Sequence, residues 1–184
     1  MCFSFEVSLG TGIFCWAVGL YLLQKPLSVY QRRSVISLLI FSSIQFADAL
    51  LWSTNLRKTQ LNYLVTSYLI PTLLSLQILY AIFVEYVDAT QWDKVFAIGI
   101  SFYLFVRFRG YSSSLCDTSF SSPIWGSKEI QLWEILIFAY MISRTRTDVW
   151  IGLPFLFLIT DTGYGSMWCA IACVLSVYYL KEYT

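Results

Sequence analysis

An all-α, polytopic transmembrane helix bundle is what this sequence predicts, and three observations predict it. Of its 184 residues, 58% are hydrophobic and only 12% charged, where a soluble domain carries roughly 25% charged residues. Its mean hydropathy is +0.65. Its apolar runs approach the ~20 residues that a bilayer-crossing helix needs. Too little polar surface remains to clothe a water-exposed globule, so the excess must face lipid. A single transmembrane domain, 1–184, is expected, with the lipid bilayer as its first partner.

About seven runs between charged or turn-forming clusters read as spans. The first, Phe5 to Leu23, holds Glu6 as its one charge and ends at Gln24-Lys25-Pro26. With no basic n-region and no small-residue cleavage site, it reads as a retained span and not a signal peptide. The second, Ser34 to Trp52, is entered through Arg32-Arg33 and left through Arg57-Lys58. The third, Leu61 to about Val87, contains Pro71, which predicts a kink whose freed carbonyl a neighbour must satisfy. The fourth, Val95 to Val106, is short, and snorkelling of Arg107 and Arg109 would extend it. A polar external loop over about 110–129 follows, then Ile130 to Ile142, a short sixth span Val149 to Thr160, and Gly165 to Leu180. An odd number of spans separates the termini. Lys25, Arg32 and Arg33 in the first loop predict N-out/C-in, since basic loops stay on the inner side. Trp52, Trp92, Trp125, Trp150, Tyr178, Tyr179 and Tyr183 fall at span ends, where aromatic belts form.

Charge and composition exclude several function classes. A formal net charge of +1 removes the electrostatic case for nucleic acid. The absence of histidine excludes His-ligated zinc, His-held haem, Ser-His-Asp triads and Cys-His pairs. Five cysteines without histidine make no convincing metal site. A retinal Schiff base would need a buried lysine in the last helix, and Lys181 sits at its edge. The chain therefore reads as a non-enzyme with no cofactor, able to exist as a homo-oligomer, in a membrane that the sequence does not identify.

Ionisable side chains inside a bilayer are expensive, from about 3 kcal/mol upward, so each should face the bundle interior and have a partner. Gln45 and Asp48 share a face of the second span, Gln77 and Glu85 a face of the third, and Gln131 and Glu134 open the fifth. Together they read as a solute or proton pathway or as interhelical glue. Asp48 is the strongest candidate, with Gln77 or Glu134 as its expected partner. Small residues at Ser8, Gly12, Cys15 and Gly19, and at Ser166, Cys169, Cys173 and Ser176, form two stripes that predict packing of the first span against the last. That packing, with N-out topology, favours a disulfide between Cys2 and Cys169, with Cys116 as the competing partner. The run Thr162-Gly163-Tyr164-Gly165 suggests a minor alternative, a potassium-channel-like filter, although Asp161-Thr162 stands where Thr-Val belongs.

The opening Met1-Cys2-Phe3 and the late block Gly165-Ser166-Met167-Trp168-Cys169 resemble an uncharacterised family of small, roughly seven-helix membrane proteins of large DNA viruses and microbes. Its members begin Met-Cys-aromatic and carry Gly-Ser-x-Trp-Cys at the start of the last helix. Gln45 through Trp52 and Gln131-Leu132-Trp133 are similar to two further elements of that family, though the Gly-His that precedes the second is missing here. The resemblance implies a topology and no activity. Two functions are therefore carried forward. One is a small channel or transporter for a proton, ion or small polar solute. The other is a non-catalytic structural or assembly component of a viral or organelle membrane.

Overall fold

The computed structural model describes residues 4–114, 123–128, 130–143 and 164–184. Its first helix, α1 (Phe5–Leu23), is started by Ser4, whose hydroxyl accepts the Val7 N–H at 3.4 Å, and carries Glu6 in its first turn, where the helix dipole favours an anion. Lys25-Pro26 stops it, because proline has no N–H to offer. Ser28 and Gln31 then cap each other, each side chain bonding the other's backbone N–H, and open α2 (Val29–Ser42). The same segment continues as α3 (Ile44–Ser53). At the join the Ser42 and Ser43 hydroxyls both donate to the Leu39 carbonyl, at 3.3 and 2.7 Å. Arg32 and Arg33, expected ahead of the second helix, thus lie within its first turns.

The third segment is continuous from Gln60 to Glu85 but changes pitch twice. Thr59 caps α4 (Gln60–Leu64), a π-helical turn (Val65–Leu69) follows, α5 (Ile70–Tyr80) comes next, and a second π turn (Ala81–Glu85) ends it. The expected disturbance at Pro71 therefore takes the form of a π turn just before the proline, with the Ile70 N–H bonded five residues back to Val65. This wider turn absorbs the missing donor within the helix. The fourth helix, α6 (Gln91–Arg107), starts four residues before the expected Val95 because Thr90 and Asp93 form a capping box. α7 (Leu132–Ser143) and α8 (Tyr164–Tyr183) complete the described helices. In the loop between α6 and α7, β1 (Ser113–Ser114) pairs antiparallel with β2 (Pro123–Ile124).

The chain is mostly helical, and among the described residues three helices are long and apolar enough to cross a membrane: Phe5–Leu23, Val29–Ser53 and Gln60–Glu85. The expected sixth span, Val149 to Thr160, lies outside the described residues.

Packing follows the small-residue stripe of α1, with one correction. Gly12 and Gly19 face the α2–α3 segment, not α8. A Cβ on Gly12 would come within 3.1 Å of Gln45 Cβ and the Phe46 ring, and one on Gly19 within 2.5 Å of a Leu39 methyl. Ser8, Cys15 and Leu22 are buried on the same stripe. Cys15, on that stripe, also meets α8, its sulfur 4.0 Å from that of Cys173. Further along both helices, Val18 and Leu22 cluster with Val35, Leu38 and Tyr179. Residue numbers thus rise together along α1 and α8, and the two helices run in the same direction. Tyr179, expected in an interfacial belt, is core and stacks on Tyr183 at 5.0 Å. The main core joins α3, α5, α6 and α7 through Leu51, Ile70, Ile78, Leu104, Phe138 and Met141.

Candidate functional site

One end of the bundle brings Asp48, Asn62, Arg107 and Glu134 together. It is formed by α3, the start of α4, the end of α6, the start of α7 and the described residues 110–114 and 123–128 between α6 and α7. At its centre Asp48 of α3, 2% exposed, accepts a 2.8 Å hydrogen bond from the indole N–H of Trp125. Trp125 is 3% exposed and meets the Phe108 ring edge to face, centroids 6.2 Å apart. Gly126 makes this possible. It turns the chain with φ +81, and a Cβ there would lie 3.4 Å from Phe108 Cα, so the loop lies flat on the end of α6. Within the stretch expected to be a polar external loop, Trp125 and Gly126 therefore lie against the bundle. Trp125, expected in an aromatic belt, is the partner of Asp48, where Gln77 or Glu134 was expected.

Beside this pair Asn62, fully buried, uses all of its hydrogen-bonding capacity. Its Nδ2 donates to the carbonyls of Arg57 and Ser112, both at 3.0 Å, and its Oδ1 accepts from Thr66 Oγ1 at 3.1 Å and the Ser112 N–H at 2.8 Å. The Thr66 and Ser112 hydroxyls are 2.7 Å apart, and the Gly110 N–H donates to Ser67 Oγ at 3.0 Å. This network ties the loop's first strand to the third segment.

On the other flank Glu134 is committed to Arg107. Arg107 Nε reaches Oε1 at 2.6 Å and Nη2 reaches Oε2 at 3.1 Å, a two-pronged carboxylate–guanidinium geometry. Tyr103 donates to Oε1 at 2.7 Å, and the Gln131 N–H donates to Oε2 at 2.7 Å, which caps α7. Gln131 thus contributes its backbone to the cluster.

The remaining candidates lie elsewhere. Gln45 is fully buried against α1, with the Thr11 hydroxyl 3.5 Å from its Oε1. Gln77 is buried in α5, and neither end of its amide has a hydrogen-bond partner among the described residues. Glu85 ends the segment on the side opposite Asn62. Gln77 is buried within α5, whereas Glu85 is half-buried at the last residue of the second π turn. The six residues expected to line one pathway thus fall into separate environments, with Asp48 and Glu134 on two sides of Trp125.

A cavity of about 250 Å3 lies next to the site, between α5, α6 and α7, with Leu74, Ile100, Leu104, Trp125 and Phe138 among its walls and Glu134 at its rim. No cluster of three or more metal-ligating side chains occurs among the described residues. Of the expected disulfide, Cys2 and the competing Cys116 lie outside the described residues, as do the side chains of Cys169 and Ser166. Cys15 and Cys173 are the cysteines brought together, and neither is in a disulfide. Thr162 and Gly163 are likewise outside them. Tyr164 and Gly165 open α8 and are helical, whereas a selectivity filter needs extended backbone.

Trp125, Asn62, Arg107 and Ser112 were not recognised as site residues from sequence. Trp125-Gly126 within a polar loop was the one local signal for the first of them. Comparison with known protein families, curated proteins and solved structures finds no match to this chain. The class is therefore set by the fold alone: a mostly helical protein with three membrane-length apolar helices among the described residues and a capped, buried carboxyl at one end.

Proposed function

We propose that this chain is a seven-span integral membrane protein, N-terminus outside, that moves a proton or small polar solute past Asp48, with the loop carrying Trp125 as its plug. The shared direction of α1 and α8 supports an odd number of spans, because a first and a last span run the same way only when their count is odd. Lys25, Arg32 and Arg33, at the end of the bundle away from Trp125, support the orientation. The resemblance to small seven-helix membrane proteins of large DNA viruses and microbes agrees with the count.

One observation carries the functional reading: a fully enclosed carboxyl held by a single indole from a loop, with no cation bonded to it among the described residues. Carboxyls that serve only as glue between helices are met by partners on neighbouring helices, as Glu134 is. Withdrawing the loop would expose Asp48 from one end.

The test is flux in reconstituted vesicles with an internal pH dye and a panel of small cations. Asp48→Asn abolishes flux while the protein still elutes as one species, and Trp125→Phe raises it. Flux unchanged in both variants, or no flux in the wild type, overturns the reading. Leu27→Cys, in the first loop, is labelled only from the inner side. Labelling from outside overturns the orientation.

The bidentate Arg107–Glu134 pair favours a second reading, a structural or assembly component. It spends on α6–α7 cohesion a carboxyl that a pathway would keep open. Under that reading the wild type carries no flux.

A further inference from the structure

We infer that the cavity between α6 and α7 is a binding slot for a single acyl chain of a membrane lipid, and that the chain holds Trp125 against Asp48. The inference rests on the membrane reading above but not on transport. Its walls run along α6 from Phe96 to Phe108, twelve residues or about 18 Å of helix. The slot is thus elongated along the helix axis, the direction in which lipid chains lie. Its volume of about 250 Å3 is several times a water's share of about 30 Å3. Walls of leucine, isoleucine and aromatic rings give water no partners, and apolar cavities of this kind stay dry and accept hydrocarbon.

The mouth supports the same occupant. Phe96 and Trp133 on the lining are each 51% exposed, and α6 continues outward through Ile98, Phe102 and Val106, all exposed. The slot therefore opens onto the apolar outer face and not onto the polar end. In a bilayer the chain available along that face is a lipid's. At the polar end Arg107 donates to the Lys128 carbonyl, so an exposed lysine lies on the segment beside the Arg107–Glu134 pair. Trp125, itself 3% exposed, is one of the slot's walls. A chain in the slot packs against that ring and blocks its withdrawal from Asp48, so an occupied slot keeps the loop down.

The test uses the wild-type chain in vesicles of phosphatidylcholine whose acyl chain carries a terminal or mid-chain diazirine, with adducts mapped by mass spectrometry. The expected result is adducts on Leu104, Trp125 or Phe138, which are buried, in addition to those on Phe102 and Val106. Leu104→Phe or Ile100→Phe, which fill the slot, lose the Trp125 adducts and keep those on Phe102. Adducts confined to Ile98, Phe102 and Val106 overturn the slot and leave the membrane reading standing. No adducts at all overturn both.

Discussion

The indole N–H of Trp125 donates to Asp48 at 2.8 Å across 77 residues of sequence, and both groups are nearly sealed from solvent. A buried acceptor loses most when its one donor is removed, because its desolvation is then uncompensated. Trp125→Phe keeps the ring against Phe108 and removes the N–H. It should cost about 1–3 kcal/mol. Asp48→Asn keeps an oxygen acceptor for the indole and should cost less than Trp125→Phe. Thermal unfolding in detergent measures both, and equal stability of Trp125→Phe and wild type would refute a structural role for the bond.

Arg107 and Glu134 have side chains only 11% exposed, so the pair is largely removed from water. Breaking such a pair from one side strands a charge, at about 3–5 kcal/mol when fully buried and less at this exposure. Glu134→Leu and Arg107→Met should each destabilise the protein more than the double variant does. If the double variant is the least stable of the three, the pair is not coupled in this way.

Asn62 makes four hydrogen bonds, two of which, to the Ser112 carbonyl and from the Ser112 N–H, tie the loop to the third segment. Asn62→Ala orphans the Ser112 N–H and carbonyl and should cost at least about 2 kcal/mol. Because Ser112 precedes β1, the loss should reach the loop: hydrogen exchange at residues 110–114 should accelerate, while exchange in α1 stays unchanged. Uniform acceleration would point to global destabilisation instead.

Cys15 and Cys173, 4.0 Å apart, report the contact of α1 with α8. A thiol-specific cross-linker with a one-carbon spacer should join them. Protease cleavage in the loop around residue 115 should then leave both fragments in one band. Cys15→Ser should release them. Separate fragments from the cross-linked wild type would show that α1 and α8 do not pack as described.

Gly12 and Gly19 show where sequence reasoning stops. Their spacing marks a face of close approach, but Gly12 meets Gln45 and Gly19 meets Leu39, on the helix next in sequence instead of the last one. A small residue states how near a neighbour comes and not which neighbour. Pro71 and Thr90 divide similarly. The capping box at Thr90 and Asp93 is local chemistry within four residues, whereas the π turn before Pro71 shifts every later side chain of that segment around the helix.

By itself the sequence determined the helical, strongly apolar character of the chain and singled out Asp48. Both follow from short-range physics: apolar runs without enough polar surface, helix caps within four residues, and a carboxyl in a run that cannot solvate it. Only the tertiary structure decided that Trp125 closes over Asp48, that Arg107 claims Glu134, and that Asn62 anchors the loop. Those partners come from segments far apart in the chain. Their selection depends on how the helices stack, which the periodicity of any one helix leaves open, and on where a buried donor must find an acceptor.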